Sequence, residues 1–159
     1  MLKYTDYDIV FSEVPGEVTL AVDLSLCPNR CEGCHSPQLR LDIGKELTKE
    51  DLAALIERFS SGITCVALMG GDNDPQALSK LVQETRRRYP TLKYAWYSGR
   101  SELPEGMEPQ VWDFIKLGPY IPSCGSLKMP TTNQRFYRVK ADGTMDDITS
   151  VFWKKTFGE

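Results

Sequence analysis

The chemistry available to this sequence is concentrated in one stretch: Cys27-Pro28-Asn29-Arg30-Cys31-Glu32-Gly33-Cys34-His35. Three thiols spaced C-x3-C-x2-C can converge on one centre, and thiolates are soft ligands suited to iron–sulfur clusters or zinc. A structural zinc site or an ordinary ferredoxin cluster takes four protein ligands, and the local set stops at three. His35 adjoins Cys34, and neighbouring residues chelate one tetrahedral metal awkwardly. Cys65 lies inside an apolar run and reads as a small core residue. Cys124 falls in an irregular segment and stays open as a distant donor. The remaining arrangement is a four-iron cluster held by Cys27, Cys31 and Cys34, with one iron left for a substrate. An open coordination position is what separates a catalytic metal from a structural one.

A second set of polar residues follows the apolar runs. Gly70-Gly71-Asp72 combines paired glycines, which admit a ligand close to the backbone, with a carboxylate that can pair with an ammonium group. The same residues also suit a plain strand-to-helix turn. Ser98-Gly99 is a hydrogen-bonding turn, with Lys116 and Tyr120 further along. Lys116 on its own reads as a solvated charge. Thr131-Thr132-Asn133-Gln134-Arg135 is either a partner contact or turn and cap material.

The elements that must carry these residues alternate in type. Val18 to Leu24 is β-branched and aliphatic, the mark of a strand, and residues 25–40, with Pro28, Asn29, Gly33 and Pro37, form a loop. Thr48 and Asp51 make a capping box, after which Leu52, Leu55, Ile56 and Phe59 repeat as one face of a helix that Gly62 ends. Ile63 to Met69 is nearly all apolar, as in a strand covered on both faces. Asp74 as N-cap and Pro75 at the first turn open a second helix, with Leu78, Leu81, Val82 and Tyr89 inward and Arg86-Arg87-Arg88 toward water. Leu92–Tyr97 and Val111–Leu117 read as strands, residues 119–134 as irregular, and Arg135–Lys140 and Ile148–Trp153 as two late strands around Asp142-Gly143. The pattern predicts a single α/β domain over residues 1–159, with a mostly parallel sheet and helices outside it. In such sheets ligands sit at the carboxyl ends of the strands. That places residues 25–40, Gly70–Asp74, Ser98–Arg100 and Gly118–Tyr120 on one rim.

Composition sets the outer bounds. The chain has 159 residues, enough for one core, with 41% apolar and 26% charged residues. A net charge of −3 implies no basic field, so no direct nucleic-acid partner is expected. No apolar run approaches a membrane span, and Met1–Asp6 lacks the apolar core of a signal peptide, so a cytoplasmic protein with no membrane partner is the expectation. Five cysteines are an odd number, and three of them fall in the motif, which argues against a disulfide framework.

The C-x3-C-x2-C loop after the first predicted strand resembles that of the radical S-adenosylmethionine enzymes. Met69-Gly70-Gly71-Asp72, Asp113 to Tyr120 and Thr131 to Arg135 extend the likeness over about residues 12–140. Within the superfamily they make the chain similar to the activating proteins of anaerobic ribonucleoside-triphosphate reductase. The resemblance implies a partial (β/α) barrel and a 4Fe-4S cluster on Cys27, Cys31 and Cys34. It implies S-adenosyl-L-methionine as cofactor, contacted by Gly33, Cys34, His35, Gly70, Gly71, Asp72 and Ser98. No catalytic residue beyond the cluster ligands is implied. The expected partners are the glycyl radical protein, the large subunit of the reductase, and a flavodoxin- or ferredoxin-like electron donor. Two positions depart from the pattern: Asp72 stands where the family carries a glutamate, and Gly33 where many members carry an aromatic residue. Two other readings stand beside this one. They are an activase of another glycyl radical enzyme and a non-catalytic module stabilised by zinc or a closed cluster.

Overall fold

A computed structural model describes residues 1–29 and 37–153. Its strands are β1 (Lys3–Val10), β2 (Thr19–Leu24), β3 (Lys45–Glu46), β4 (Cys65–Met69), β5 (Lys93–Tyr97), β6 (Phe114–Leu117), β7 (Arg135–Val139) and β8 (Met145–Asp147). The two α-helices are α1 (Lys49–Phe59) and α2 (Pro75–Arg88). All eight strands join one sheet in the order β3-β1-β2-β4-β5-β6-β7-β8.

The central four strands, β2-β4-β5-β6, are parallel, and the flanking strands on both sides are antiparallel. The sheet is therefore mixed, where composition and periodicity lead to a mostly parallel one. The difference comes from short local connections: β1 turns back onto β2, and β7 pairs with β8 across the Asp142-Gly143 turn. Both return paths are too brief for the crossover that a parallel neighbour needs.

The parallel strands explain the apolar runs. Cys65 to Leu68 are all buried. Val66 and Leu68 pack with Leu20, Val22, Tyr94 and Trp96 beneath α1 and α2. Cys65 and Ala67 turn to the opposite face, among Ala95, Phe114 and Phe136. The helices start where capping chemistry says they should. Thr48 and Asp51 form a reciprocal capping box, and the Asp74 carboxylate accepts the Ala77 N–H at 3.1 Å, with Pro75 in the first turn. Replacing such a cap with alanine typically costs about 1 kcal/mol.

Three expectations change. The strand that opens at Val111 begins at Phe114, because Pro109–Val111 forms a short 3₁₀ turn ahead of it. The last strand is Met145–Asp147, and Thr149–Trp153 is a 3₁₀ turn, started by Asp147 accepting from the Thr149 N–H and hydroxyl. Arg86 does not face water alone. It donates to the Asp113 carboxylate at 2.9 Å and to the Val111 carbonyl at 3.0 Å, tying α2 to the start of β6. No described helix is long and apolar enough to cross a membrane.

Candidate metal centre

Because β2, β4, β5 and β6 run parallel in register, their carboxyl ends lie along one edge. The segments that leave them, Ser25–Asn29, Gly70–Asp74, Ser98–Arg100 and Gly118–Tyr120, share that rim. Cys27 stands there half-buried. Its backbone N–H donates to the Leu39 carbonyl at 2.8 Å, and the Leu26 N–H to that of Leu41 at 3.2 Å. The two legs of the cysteine loop are thus tied at the neck. Leu26 takes a positive φ of 61°, unusual for a branched residue, which bends the chain just before Cys27. Cys31, Cys34, Gly33 and His35 lie outside the described residues.

Asp72 organises the rim. Its side chain is 1% exposed. Oδ1 accepts from the Ser98 hydroxyl at 2.6 Å, and Oδ2 from Asn29 Nδ2 at 2.6 Å and the Gly99 N–H at 2.9 Å. The Arg100 guanidinium donates to the Asp72 carbonyl at 2.9 Å and lies 3.8 Å from Oδ1. These donors satisfy both oxygens of a carboxyl group that burial cuts off from water. With both oxygens engaged by the protein's own groups, Asp72 joins the loops after β2, β4 and β5.

Gly70 and Gly71 adopt φ of 119° and 89°. The Gly70 N–H donates to the Tyr97 carbonyl at 3.0 Å, and its carbonyl accepts from the Trp96 indole at 2.7 Å. Trp96 in turn stacks on Trp112, with centroids 5.6 Å apart. The paired glycines therefore serve the turn as well as any ligand that approaches it. Ser98 is buried, donating to Asp72 and accepting from the Arg100 N–H at 3.0 Å.

Lys116 is not a solvated charge. It is buried and donates to the carbonyls of Ser98 at 3.0 Å and Gly118 at 2.8 Å. Thr131 to Gln134 act locally: Thr131 donates to the Cys124 carbonyl, Asn133 to that of Pro119, and the Thr132 hydroxyl accepts the Gln134 N–H. A shallow cavity of about 620 Å³ opens beside this network, bordered by Asn29, Gly99, Arg100 and Pro119.

The distant cysteines differ in their standing as ligands. Cys65 opens β4, paired with Thr19 and Lys93 at the end of the sheet opposite the rim. That position sets it apart from the Cys27 loop, and burial pushes its thiol up to about 12, so without a metal it stays protonated at neutral pH. Cys124 sits in the turn closed by the Ile121–Gly125 bridge. Among the described residues, no hydrogen bond joins it to the Cys27 loop. No described group of three or more histidines, cysteines and acids converges on a point; the motif's other two thiols fall outside those residues.

A cysteine loop at the carboxyl edge of parallel β/α units is the frame of an iron–sulfur protein. The chain belongs to the 4Fe-4S single cluster domain family, which it matches over residues 15–116. That span takes in the cysteine loop, Gly70–Asp72 and Ser98–Gly99. No curated protein and no solved structure matches the chain. Cys27, the motif's one described thiol, is suited to ligate such a cluster: it stands on the rim beside a chain pinned by two backbone bonds, with the Asn29 amide nitrogen 3.6 Å from its sulfur.

Sequence reasoning placed Asn29 and Arg100 in rim segments but gave neither a role. Asn29 carries a weak signal, a carboxamide two residues from a thiol. Its partner Asp72 is 43 residues away, and nothing in the sequence joins them.

Proposed function

We infer that the chain is a radical S-adenosylmethionine activating protein that installs a glycyl radical on anaerobic ribonucleoside-triphosphate reductase. In this reading Cys27, Cys31 and Cys34 hold the 4Fe-4S cluster, and the mixed sheet corresponds to the partial (β/α) barrel of those enzymes. The observation that carries the reading is the position of Cys27. It follows the first parallel strand, on the same rim as Gly70–Asp72 and Ser98–Gly99, in a chain of the 4Fe-4S single cluster family.

A cluster held by Cys27, Cys31 and Cys34 would supply, once reduced, the electron for reductive cleavage of S-adenosylmethionine at its S–C5′ bond. The protein's share is to bind, orient and shield. Gly70, half-buried, is the part of the glycine pair that a ligand could approach, while Gly71 is buried against Leu24 and Leu78 and shapes the turn. Asp72, saturated by its own donors, acts by fixing Asn29, Ser98 and Gly99 in place. The cavity bordered by Asn29, Gly99, Arg100 and Pro119 is the space where S-adenosylmethionine would lie. It is open on one side, so a glycine loop of the partner would enter there and exclude water. No general acid or base is needed for hydrogen-atom abstraction, which suits a chain with one histidine. The electron would come from a flavodoxin- or ferredoxin-like donor.

The test is anaerobic reconstitution with iron and sulfide, followed by reduction and addition of S-adenosylmethionine. A changed paramagnetic resonance signal with release of 5′-deoxyadenosine, both lost in Cys27→Ala, is the expected result. Transfer of the radical to the reductase large subunit then identifies the partner. A cluster indifferent to S-adenosylmethionine, or a colourless zinc protein, overturns the reading.

A further inference from the structure

Asn29 lies two residues beyond Cys27, and its carboxamide nitrogen is 2.6 Å from Asp72 Oδ2 and 3.6 Å from Cys27 Sγ. The Asp72 carboxylate accepts hydrogen bonds, and Cys27 Sγ, which as a free thiol lies 4.0 Å from the Asn29 carbonyl oxygen, would accept once it is a cluster ligand. The amide must therefore present its nitrogen to them, since a flipped amide would set oxygen against oxygen at 2.6 Å. Its nitrogen, with two N–H bonds to give, lies within hydrogen-bond reach of both acceptors. Asp72 cannot drift away, because Ser98 and Gly99 hold it from the other side.

A second observation shows that the amide's place is built. Gly99 packs directly on it: a Cβ added there would stand 2.7 Å from Asn29 Nδ2 and 3.0 Å from Cγ. The loops after β2, β4 and β5 thus meet to aim one N–H at one sulfur. Asp72 contributes by position: it fixes the carboxamide so that its nitrogen stays beside the sulfur.

We propose that Asn29, positioned by Asp72 and Gly99, donates a hydrogen bond to the Cys27 thiolate and thereby sets the reduction potential of the cluster. Reduction adds one electron, and so negative charge, to the cluster and its sulfurs. An N–H directed at a ligand sulfur stabilises that state and raises the potential. The proposal rests on cluster ligation by Cys27, which it shares with the functional reading, and needs no S-adenosylmethionine.

The test is a redox titration of the reconstituted full chain with dithionite, followed by paramagnetic resonance without S-adenosylmethionine. Wild type, Asn29→Ala and Gly99→Ala are compared at equal iron content. Asn29→Ala removes the donor, and Gly99→Ala keeps it but displaces it. Both should lower the potential, with the ratio of reduced to oxidised cluster falling about tenfold at fixed ambient potential, about 59 mV for one electron. A ratio within twofold of wild type in Asn29→Ala, or a rise, overturns the proposal. So does the finding that both variants fold but take up no iron, since the amide would then serve assembly alone. S-adenosylmethionine added afterwards separates the two ideas. A shifted potential in a protein that never cleaves it sinks the activase reading alone, and an unshifted potential with cleavage intact sinks this one alone.

Discussion

Lys116 Nζ lies 3.0 Å from the carbonyl oxygen of Ser98 and donates to it, joining β6 to the loop that leaves β5. The same ammonium reaches the Gly118 carbonyl at 2.8 Å and sits 5.9 Å from the centre of the Tyr97 ring. A buried lysine is tolerated only when its protons find partners. Two of its partners are backbone carbonyls at the ends of two neighbouring strands. The rim is therefore braced by a cation from beneath and by the Asp72 carboxylate from the side.

Lys116→Met keeps the stem and removes the donors. The carbonyls of Ser98 and Gly118 then lose a charged partner, and unfolding of the cluster-free protein in urea should show a loss of about 1–3 kcal/mol. An unchanged midpoint would mean that the bracing contributes nothing.

Gly70→Ala tests whether the glycine pair belongs to the fold. Alanine at φ of 119° is strained, and its Cβ would stand 3.2 Å from the Leu24 carbonyl oxygen. A cost of about 1–3 kcal/mol is expected in the cluster-free protein. Gly62→Ala is the control, with its nearest neighbour 3.9 Å away and no positive φ, and should stay within about 0.5 kcal/mol of wild type. Equal effects at both positions would argue against a structural need at Gly70.

The parts of this fold that were legible in the sequence are those written in local chemistry. The capping box at Thr48 and Asp51, the Asp74–Pro75 start and the apolar run of β4 each depend on residues a few positions apart. β1 was not legible: Tyr4-Thr5-Asp6-Tyr7-Asp8 alternates weakly and is partly exposed along a strand covered on its outer side by the two-residue β3 alone, so periodicity gives little contrast. The site divides the same way. The cysteine spacing is local and specific, whereas the bonds from Asp72 to Asn29 and Ser98 span 43 and 26 residues and exist only after the sheet forms. Lys116 falls on the rim in the sequence reading, but its partners were not legible, because a single lysine in an apolar strand looks the same whether its end reaches water or two carbonyls.

Cys65 and Cys27 should part company chemically. With its thiol pushed up to about 12 by burial, Cys65 holds a thiolate fraction on the order of 10⁻⁴ at pH 8. Iodoacetamide should modify it at least about a thousandfold more slowly in the native protein than in urea. Cys65→Ala should keep the iron content of wild type at a stability cost of about 1–2 kcal/mol, while Cys27→Ala loses the iron. Iron lost from Cys65→Ala in a folded protein would instead support a closed, four-ligand site.

Asp23 gives the fold a pH dependence of known sign. Burial raises its carboxyl above the ordinary value, and the charges of Asp6 and Asp8 on β1 add to the rise; Asp6 is its register partner. The folded protein therefore binds this proton more readily than the unfolded chain does. Between the two pKa values the native state carries more protons, so stability falls as pH rises through the folded value. At neutral pH the ionised group stands opposed to like charge, a cross-strand penalty of about 0.2–1 kcal/mol. Asp23→Asn removes it and should raise the melting temperature at pH 7. The advantage should shrink as pH falls toward the ordinary aspartate value of about 4, where wild type protonates too. Thermal melts of both proteins across that range decide the matter: a gain that stays constant with pH, or a loss at pH 7, would show that Asp23 contributes through packing instead of charge.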